Sequence, residues 1–143
     1  GLFMVVAGVE HAGLLERLAE SLLSATEGDR TVTALVILWA SAILSAIIDN
    51  IPFVATMIPL IKNMGPSMGG NEALMPLWWA LSLGACLGGN GTLVGASANL
   101  TVAGLAERGG VPFKFLTYTK LAFPLMLGSV AVAHVYLYFQ FLR

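Results

Sequence analysis

Long apolar runs separated by short polar loops dominate the chain. Neither Ala73–Ala106 nor Leu121–Leu142 contains an Asp, Glu, Lys or Arg. Uncharged runs of about 18 residues or more are typical of membrane-spanning helices. A soluble helical bundle would instead carry polar stripes at helical spacing, and these segments lack them. The pattern therefore predicts an all-α membrane protein.

The first 30 residues divide into an apolar stretch, an amphipathic stretch and a polar loop. Gly1–Val9 is apolar throughout and lacks the charged start of a signal peptide, so it is interpreted as the end of a span. Over Glu10–Ser24, leucines at helical spacing lie opposite charged residues, which predicts a helix lying at the membrane interface. Because the chain begins inside an apolar run, we expect it to be part of a longer protein.

An apolar segment over residues 31–62 is interrupted by Asp49 and Asn50. As one straight helix, Thr31–Ile61 would be about 46 Å long, against a hydrocarbon core of about 30 Å. The segment is too short for two full spans, so it is predicted to form a re-entrant hairpin with Asp49 and Asn50 at its tip. Pro52 suits the first turn of the returning arm. One strongly tilted span, kinked at Pro52, is the alternative.

Residues 63–111 are predicted to form a loop followed by a broken transmembrane helix. Ala73–Ala106 is too long for one straight span, and its centre is rich in glycine. We expect one helix to end near Leu87 and a second to begin near Ser97, with Ser97 or Asn99 as its cap.

Residues 112–143 are predicted to form the final transmembrane helix, because Phe115–Leu142 is apolar and rich in aromatic residues towards its end. Basic residues cluster in Glu107–Lys120. Loops rich in Lys and Arg tend to lie on the cytoplasmic side of a membrane. We therefore expect this loop in the cytoplasm and the mouth of the hairpin on the outer side.

Composition supports these predictions and narrows the chemistry. Hydrophobic residues make up 57% of the chain and charged residues 10%, whereas soluble domains carry about 25% charged residues. The net charge of −1 does not indicate the basic surface that nucleic-acid-binding proteins have. The lone Cys86 cannot form an intrachain disulfide, and no Cys/His cluster has metal-ligand spacing. His11 and His134 are therefore interpreted as structural, and no cofactor is expected.

Asp49 is the only acidic residue inside an apolar segment. A carboxylate is costly to bury in lipid, so such residues usually face a protein interior or a watery cavity. Asp49 is therefore a candidate for binding a proton or a coupling cation, with a sodium site considered near Ser45, Asp49, Asn50 and Asn90. Its alternative role is a helix cap at the hairpin tip, and the two roles are compatible.

Small polar residues at both interruptions are candidates for lining a substrate. Backbone that is not helical is tolerated within the hydrocarbon core only where it is buried in protein or lines a water-filled cavity. The ends of broken helices attract ions, because free N–H groups favour anions and free C=O groups favour cations. Alternatively, these side chains only satisfy the freed backbone groups. The candidate substrate- or ion-binding residues are Asp49, Asn50, Asn90, Gly91, Thr92, Ser97 and Asn99.

Two long motifs resemble those of a known transporter family. They are SAIIDNIPFVATMIP at Ser45–Pro59 and GACLGGNGTLVGASAN at Gly84–Asn99. Both resemble the ion transporter superfamily, in particular its branch of arsenite permeases and the melanosomal P protein. Citrate transporters, dicarboxylate transporters and sodium/proton antiporters are more distant relatives.

The resemblance implies an architecture of two inverted repeats, each with a re-entrant hairpin and a broken helix. The substrate would lie between the hairpin tips and the breaks, in a dimer that works by an elevator motion. This chain would be the C-terminal repeat, and its N-terminal counterpart would belong to the same protein. Asp49-Asn50-Ile51 stands where dicarboxylate relatives have Ser-Asn-Thr, which favours the arsenite permease and P protein side. Asn90-Gly91-Thr92 stands at the start of the broken-helix loop.

The sequence thus predicts the C-terminal part of a secondary transporter for a small ion or oxyanion, coupled to protons or sodium, in a prokaryotic plasma membrane. One alternative is an uncoupled, channel-like permease subunit driven by a partner. Another is an intramembrane serine protease with Ser97 and His134 as its dyad, although such an enzyme would need a glycine where Ala98 stands. The expected partners are the substrate, the lipid bilayer and a second copy of the protein. No enzymatic activity is expected.

Overall fold

The computed structural model describes residues 14–112 and 114–143, so the span end predicted at Gly1–Val9 lies outside the described residues. The described residues form helices and loops without a β-strand, which confirms the expected all-α class. The α-helices of the described residues are Leu14–Ala25 (α1), Arg30–Ser45 (α2), Asn50–Met64 (α3), Met75–Gly88 (α4), Ser97–Arg108 (α5) and Phe115–Leu137 (α6). Short 3-10 turns cover Pro66–Met68, Asn71–Leu74 and Gly89–Gly91, and a π-helical turn follows α6 at Tyr138–Leu142.

An interruption over residues 46–49 separates α2 from α3. Asp49 caps the new helix, because its Oδ1 accepts the backbone N–H of Ile51 at 3.3 Å. Pro52 lies in the first turn of α3, where a missing N–H leaves no helical hydrogen bond unmade. The helix is therefore interrupted over residues 46–49, before Pro52 and not at it.

The helices α2 and α4 form the most extensive helix pair, and two glycines bring their backbones together. A Cβ atom on Gly84 would lie 2.5 Å from the carbonyl oxygen of Leu38, and one on Gly88 would lie 2.5 Å from the Cα of Ala42. Small residues spaced by one turn permit such close approach between membrane helices. The buried apolar residues around this contact are Ala34, Ile37, Leu38, Ala42, Leu77, Ala80, Leu81 and Ala85.

The helix α6 packs on the rest of the chain by one narrow stripe. Its buried residues recur at helical spacing and are Met126, Val130, Ala133 and Leu137. Many of its other apolar residues are exposed. Among the described residues, the helical stretch Phe115–Leu142 is long and apolar enough to cross a membrane, as judged by length and composition.

A hydrogen bond between Trp39 and His134 joins α2 to α6. The indole Nε1–H donates to the imidazole Nδ1 at 3.1 Å, so this nitrogen acts as the acceptor. We expect Trp39→Phe to lower the free energy of unfolding by about 1 kcal/mol, because it removes one half-buried hydrogen bond and keeps an aromatic ring. Thermal unfolding of the purified protein in detergent, followed by circular dichroism, measures this loss.

Trp79→Phe is the matched control for that prediction. Trp79 stacks on Phe141 with ring centroids 5.7 Å apart, and its indole N–H forms no hydrogen bond within the part of the chain that the structure describes. Equal losses in the two variants would contradict the role of the Trp39–His134 bond, since the smaller ring alone would then explain both.

Candidate functional site

The two interruptions of the helices lie against each other, and Asn50 joins them. Its Nδ2 points towards neighbouring oxygens, because in this orientation it donates to Gly95 O at 3.0 Å and Ala85 O at 3.2 Å and also contacts Ser45 Oγ. The hydroxyl of Ser45 donates to Ala85 O at 2.8 Å. The first residue of α3 is thus bound to the end of α2, to α4 and to the break between α4 and α5.

Thr92 provides a second link between the interruptions. It is extended, with φ −138° and ψ 166°, and only 9% of its surface is exposed. Its hydroxyl donates to Ala46 O and accepts the backbone N–H of Gly95 at 3.0 Å. One side chain therefore satisfies a carbonyl just beyond the end of α2 and also shapes the break.

Asn99 closes the break from the side of α5. Its Nδ2 donates to Gly89 O and to Thr92 O, each at 3.0 Å. The prediction that Ser97 or Asn99 caps α5 is wrong, because Ala96 is the N-cap residue and no side chain caps this helix. The amide of Asn99 is directed back to the carbonyls of the break and not to the helix start.

Gly89 and Gly95 make room for these contacts. A Cβ atom on Gly89 would lie 2.6 Å from the side-chain amide of Asn50, and one on Gly95 would lie 2.9 Å from Ser45 O. Both separations are shorter than a real Cβ contact. The glycine-rich composition of the break therefore has a steric cause, since any larger residue would separate the two interruptions.

Helix ends determine the electrostatics of this junction. The helices α3 and α5 begin here, at Asn50 and Ser97, while α2 and α4 end here, at Ser45 and Gly88. No side chain caps α5. In its first turn the N–H of Asn99 donates to Ala96 O at 3.0 Å, so the N–H groups of Ser97 and Ala98 are the ones left for solvent or a ligand. Asp49 is half-buried, and Ser97 is exposed. The junction can therefore present N–H donors to an anion and carbonyl oxygens to a cation.

The structure places Asn90 on the side of the break that faces α6, and Gly91 between α6 and Ala46 at the end of α2. The Nδ2 of Asn90 donates to Cys86 O at 3.5 Å, and its backbone carbonyl accepts the hydroxyl of Tyr118 at 3.4 Å. Gly91 is buried, and a Cβ atom there would lie 3.0 Å from Cε of Met126. Of the predicted site residues, the structure thus brings together Asn50, Thr92 and Asn99, with Asp49 and Ser97 at the adjacent helix starts.

Sequence reasoning missed the backbone partners at this junction. The carbonyls of Ala46, Ala85, Gly89 and Gly95 accept most of the side-chain hydrogen bonds. The sequence suggested Ser45 only as a residue near a sodium site. In the structure its hydroxyl donates a hydrogen bond to Ala85 O in α4. Every residue has a backbone carbonyl, so the sequence gives no signal for which carbonyls accept side-chain hydrogen bonds. These partners could therefore not be predicted from the sequence.

The protease hypothesis requires contact between Ser97 and His134. His134 is instead bonded to Trp39 through Nδ1, and no hydrogen bond joins it to Ser97 among the described residues. The dyad that this hypothesis needs is therefore absent from the described part of the chain.

Comparison with known sequences identifies relatives of the chain. Residues 1–84 match the model of the citrate transporter family (CitMHS). The chain is 44% identical to the P protein of Sus scrofa and 43% identical to that of Homo sapiens, over 95% of its own length and 17% of theirs. It is 42% identical to an uncharacterized transporter of Mycobacterium tuberculosis, over 99% of its own length and 33% of that protein. The chain thus spans a third or less of these relatives, and no solved structure matches it.

Proposed function

We propose that this chain, which belongs to the citrate transporter family, forms the C-terminal part of a secondary transporter for a small ion or oxyanion. It is an integral membrane protein of the branch that includes the P proteins. The observation that carries the proposal is the junction of the two interruptions, where Asn50 of α3 is hydrogen-bonded to Gly95 O at 3.0 Å. Two broken apolar segments that meet at one point are the expected form of a transporter binding site.

The substrate is proposed to bind at the helix starts of this junction. The N-termini of α3 and α5 each carry a partial positive charge, and α5 has no side-chain cap to neutralise its first N–H groups. Asn50, Thr92 and Asn99 would shape the site beside these helix starts, because their amide and hydroxyl donors hold the backbone of the break. The exposed Ser97 would supply a hydroxyl to the substrate, and Gly91 continues the break. An oxyanion suits this arrangement, because its oxygens accept hydrogen bonds from backbone N–H groups at helix N-termini.

The coupling ion is proposed to bind on the carbonyl side of the same junction. The carbonyl oxygens of Ser45 and Ala46 lie close to Gly95, since a Cβ atom there would be 2.9 Å and 3.1 Å from them. Asp49 is the nearest carboxylate in sequence and lies at the start of α3. Sodium would find oxygen ligands here, and a proton would find the carboxylate of Asp49.

The wider architecture is part of the proposal. In it, α2 and α3 form a re-entrant hairpin, α4 and α5 form a broken crossing, and a second, inverted copy of this arrangement completes the site. A dimer in a prokaryotic plasma membrane would then move the site across the bilayer by an elevator motion. The short length of α3, about 22 Å, supports the hairpin because a single helix needs about 30 Å to cross the hydrocarbon core.

Asp49→Asn in proteoliposomes tests the coupling role. We expect uptake of citrate or arsenite, driven by an imposed pH or sodium gradient, to fall about tenfold when the carboxylate is lost. Asparagine is as good an N-cap as aspartate, so the start of α3 should stay intact and the effect should report the charge. Uptake is measured with labelled substrate in liposomes that contain equal amounts of each variant.

Asp29→Asn is the matched control, because Asp29 caps α2 in the same way, with its Oδ1 accepting the N–H of Thr31 at 2.7 Å. Its uptake should stay within about twofold of the wild type, since capping is preserved. Wild-type, gradient-dependent uptake in Asp49→Asn would overturn the coupling role. Uptake that follows only the substrate gradient in the wild type would overturn secondary transport in favour of a channel-like permease.

A further inference from the structure

The hydrogen bond between Trp39 and His134 requires one particular charge state of the imidazole ring. An indole N–H can only donate, so the atom that it meets at 3.1 Å, Nδ1 of His134, must be a nitrogen without a proton. The ring therefore carries its single proton on Nε2 and is neutral. A protonated histidine has an N–H group at both nitrogens and could not accept this bond.

The geometry of the two rings also disfavours a charged imidazole. Their centroids are 6.4 Å apart and their planes meet edge to face, at 61°. Trp39 directs its N–H edge at His134, and the edge of an aromatic ring carries a partial positive charge. A cation is attracted by the face of an indole and not by its edge. Protonation of His134 would therefore place two N–H donors, and two regions of positive charge, against each other.

The described elements around His134 offer no acidic side chain to stabilise an imidazolium ion. The most extensive contacts of α6 are with α4, the 3-10 turn Gly89–Gly91, the π-helical turn Tyr138–Leu142 and α2. Together with α6 itself, these elements contain no Asp or Glu. None of their other titratable or cationic residues forms a hydrogen bond, an ion pair or a ring contact with His134 within the described part of the chain. With the adjacent Arg143, those residues are Arg30, Cys86, Tyr118, Lys120, Tyr136 and Tyr138.

His134 lies in a part of α6 that water can reach. The side chain is half-buried, and Tyr136 and Tyr138, which follow it within about one turn, are both exposed. Tyrosines are enriched where a membrane helix meets the lipid headgroups, so this end of α6 lies near the membrane surface. Histidine is the side chain whose charge ordinarily changes between about pH 5 and 8. A change of charge at this contact is therefore accessible under mild conditions.

We propose that the Trp39–His134 contact is a pH-sensitive connection between α2 and α6. While the imidazole is neutral, it accepts the indole N–H and holds the two helices together. As the pH falls and the ring takes up a proton, the hydrogen bond is lost and α6 loosens from α2 at this point. The apolar stripe of α6 that includes Val130 and Leu137 keeps the helix in place. The contact involves none of the residues at the junction of the two interruptions, so the inference does not depend on the proposed function.

Nuclear magnetic resonance of the full-length protein in detergent tests the proposal without any transport measurement. The indole nitrogens are isotopically labelled, and the signal that disappears in Trp39→Phe is assigned to Trp39. Its N–H proton should shift upfield in one transition between about pH 8 and 5, as expected when a hydrogen bond is lost on protonation of a histidine. The indole signal of Trp79, which stacks on Phe141, should show no such transition.

Thermal unfolding provides a second measurement of the same contact. The unfolding temperature of the wild type should exceed that of Trp39→Phe by about 1–2 °C at about pH 8, the size expected for one hydrogen bond. At about pH 5 the difference should fall to less than half of that value, because the bond is then absent from both proteins.

Two variants separate His134 from other titrating groups. His134→Gln keeps a neutral acceptor at every pH, so the Trp39 signal should stay constant. His11→Gln removes the other histidine of the chain and should leave the transition of the wild type in place. A Trp39 signal that does not move with pH, or that moves equally in His134→Gln, would overturn the proposal. A difference in unfolding temperature that is the same at both pH values would also overturn it.

Discussion

Replacing Gly88 with alanine is expected to separate α2 from α4 and to lower the free energy of unfolding by about 2–4 kcal/mol. The added Cβ atom would lie 2.5 Å from Cα and 2.7 Å from the carbonyl carbon of Ala42. These are backbone atoms of a packed helix and cannot move aside as a flexible side chain could. The helices must therefore part, and the buried contacts of Leu38, Leu81 and Ala85 along the same interface weaken. Thermal unfolding of the purified protein measures the loss.

Gly128→Ala is the matched control for this prediction. Gly128 also lies in a helix, but a Cβ atom there would meet no other atom within 4 Å. Alanine has the higher helix propensity, so this variant should be unchanged or stabilised by up to about 1 kcal/mol. If Gly88→Ala were as stable as Gly128→Ala, the close contact between α2 and α4 would not be present in the folded protein.

Asn50→Asp is expected to abolish transport, with uptake reduced by about a hundredfold, because the new carboxylate would face carbonyl oxygens that now accept hydrogen bonds. The Nδ2 of Asn50 donates to Gly95 O at 3.0 Å and to Ala85 O at 3.2 Å. A carboxylate has the same shape but cannot donate, so it would repel both oxygens and separate α3 from the break. Uptake into proteoliposomes measures the effect, and size-exclusion chromatography shows whether the protein remains folded.

Asn90→Asp serves as the positional control, because it makes the same chemical change within the same break. The side chain of Asn90 is exposed and makes one long contact, at 3.5 Å, with Cys86 O. We expect a loss of less than about threefold, since an exposed carboxylate remains solvated. Equal losses in both variants would show that the break is sensitive to any negative charge. The specific role of Asn50 as the link between the two interruptions would then be wrong.

Local features of the sequence were sufficient to locate both interruptions. Asp49 accepts the N–H of Ile51 as an N-cap does, and Pro52 follows in the first turn of α3, so a helix start at this point has a local cause. The centre after Gly88 contains three further glycines, Gly89, Gly91 and Gly95, which disfavour a helix, and the helix ends there. The effects of helix caps, prolines and glycines all act within one helical turn. The neighbouring residues in the sequence are therefore enough to predict them.

The contacts between the interruptions could not be predicted in the same way. Asn99 was a candidate cap and instead binds Gly89 O and Thr92 O, because the break folds back on the start of α5. Asn90 was a candidate site residue and faces α6, although it lies only two residues before Thr92. The direction of each side chain depends on the backbone angles of the break, where Thr92 and Ala96 are both extended. Those angles follow from packing and not from residue type.

The sequence by itself determined that the chain is helical and apolar, where its helices stop, and which family it belongs to. These properties follow from the order of apolar residues, caps and glycines along a single segment. The tertiary structure alone decided that Asn50 reaches Gly95, that Gly88 lies against Ala42, and that Asn90 faces α6. Each of these contacts joins residues more than ten positions apart, and such pairs meet only when helices pack at a particular distance and angle.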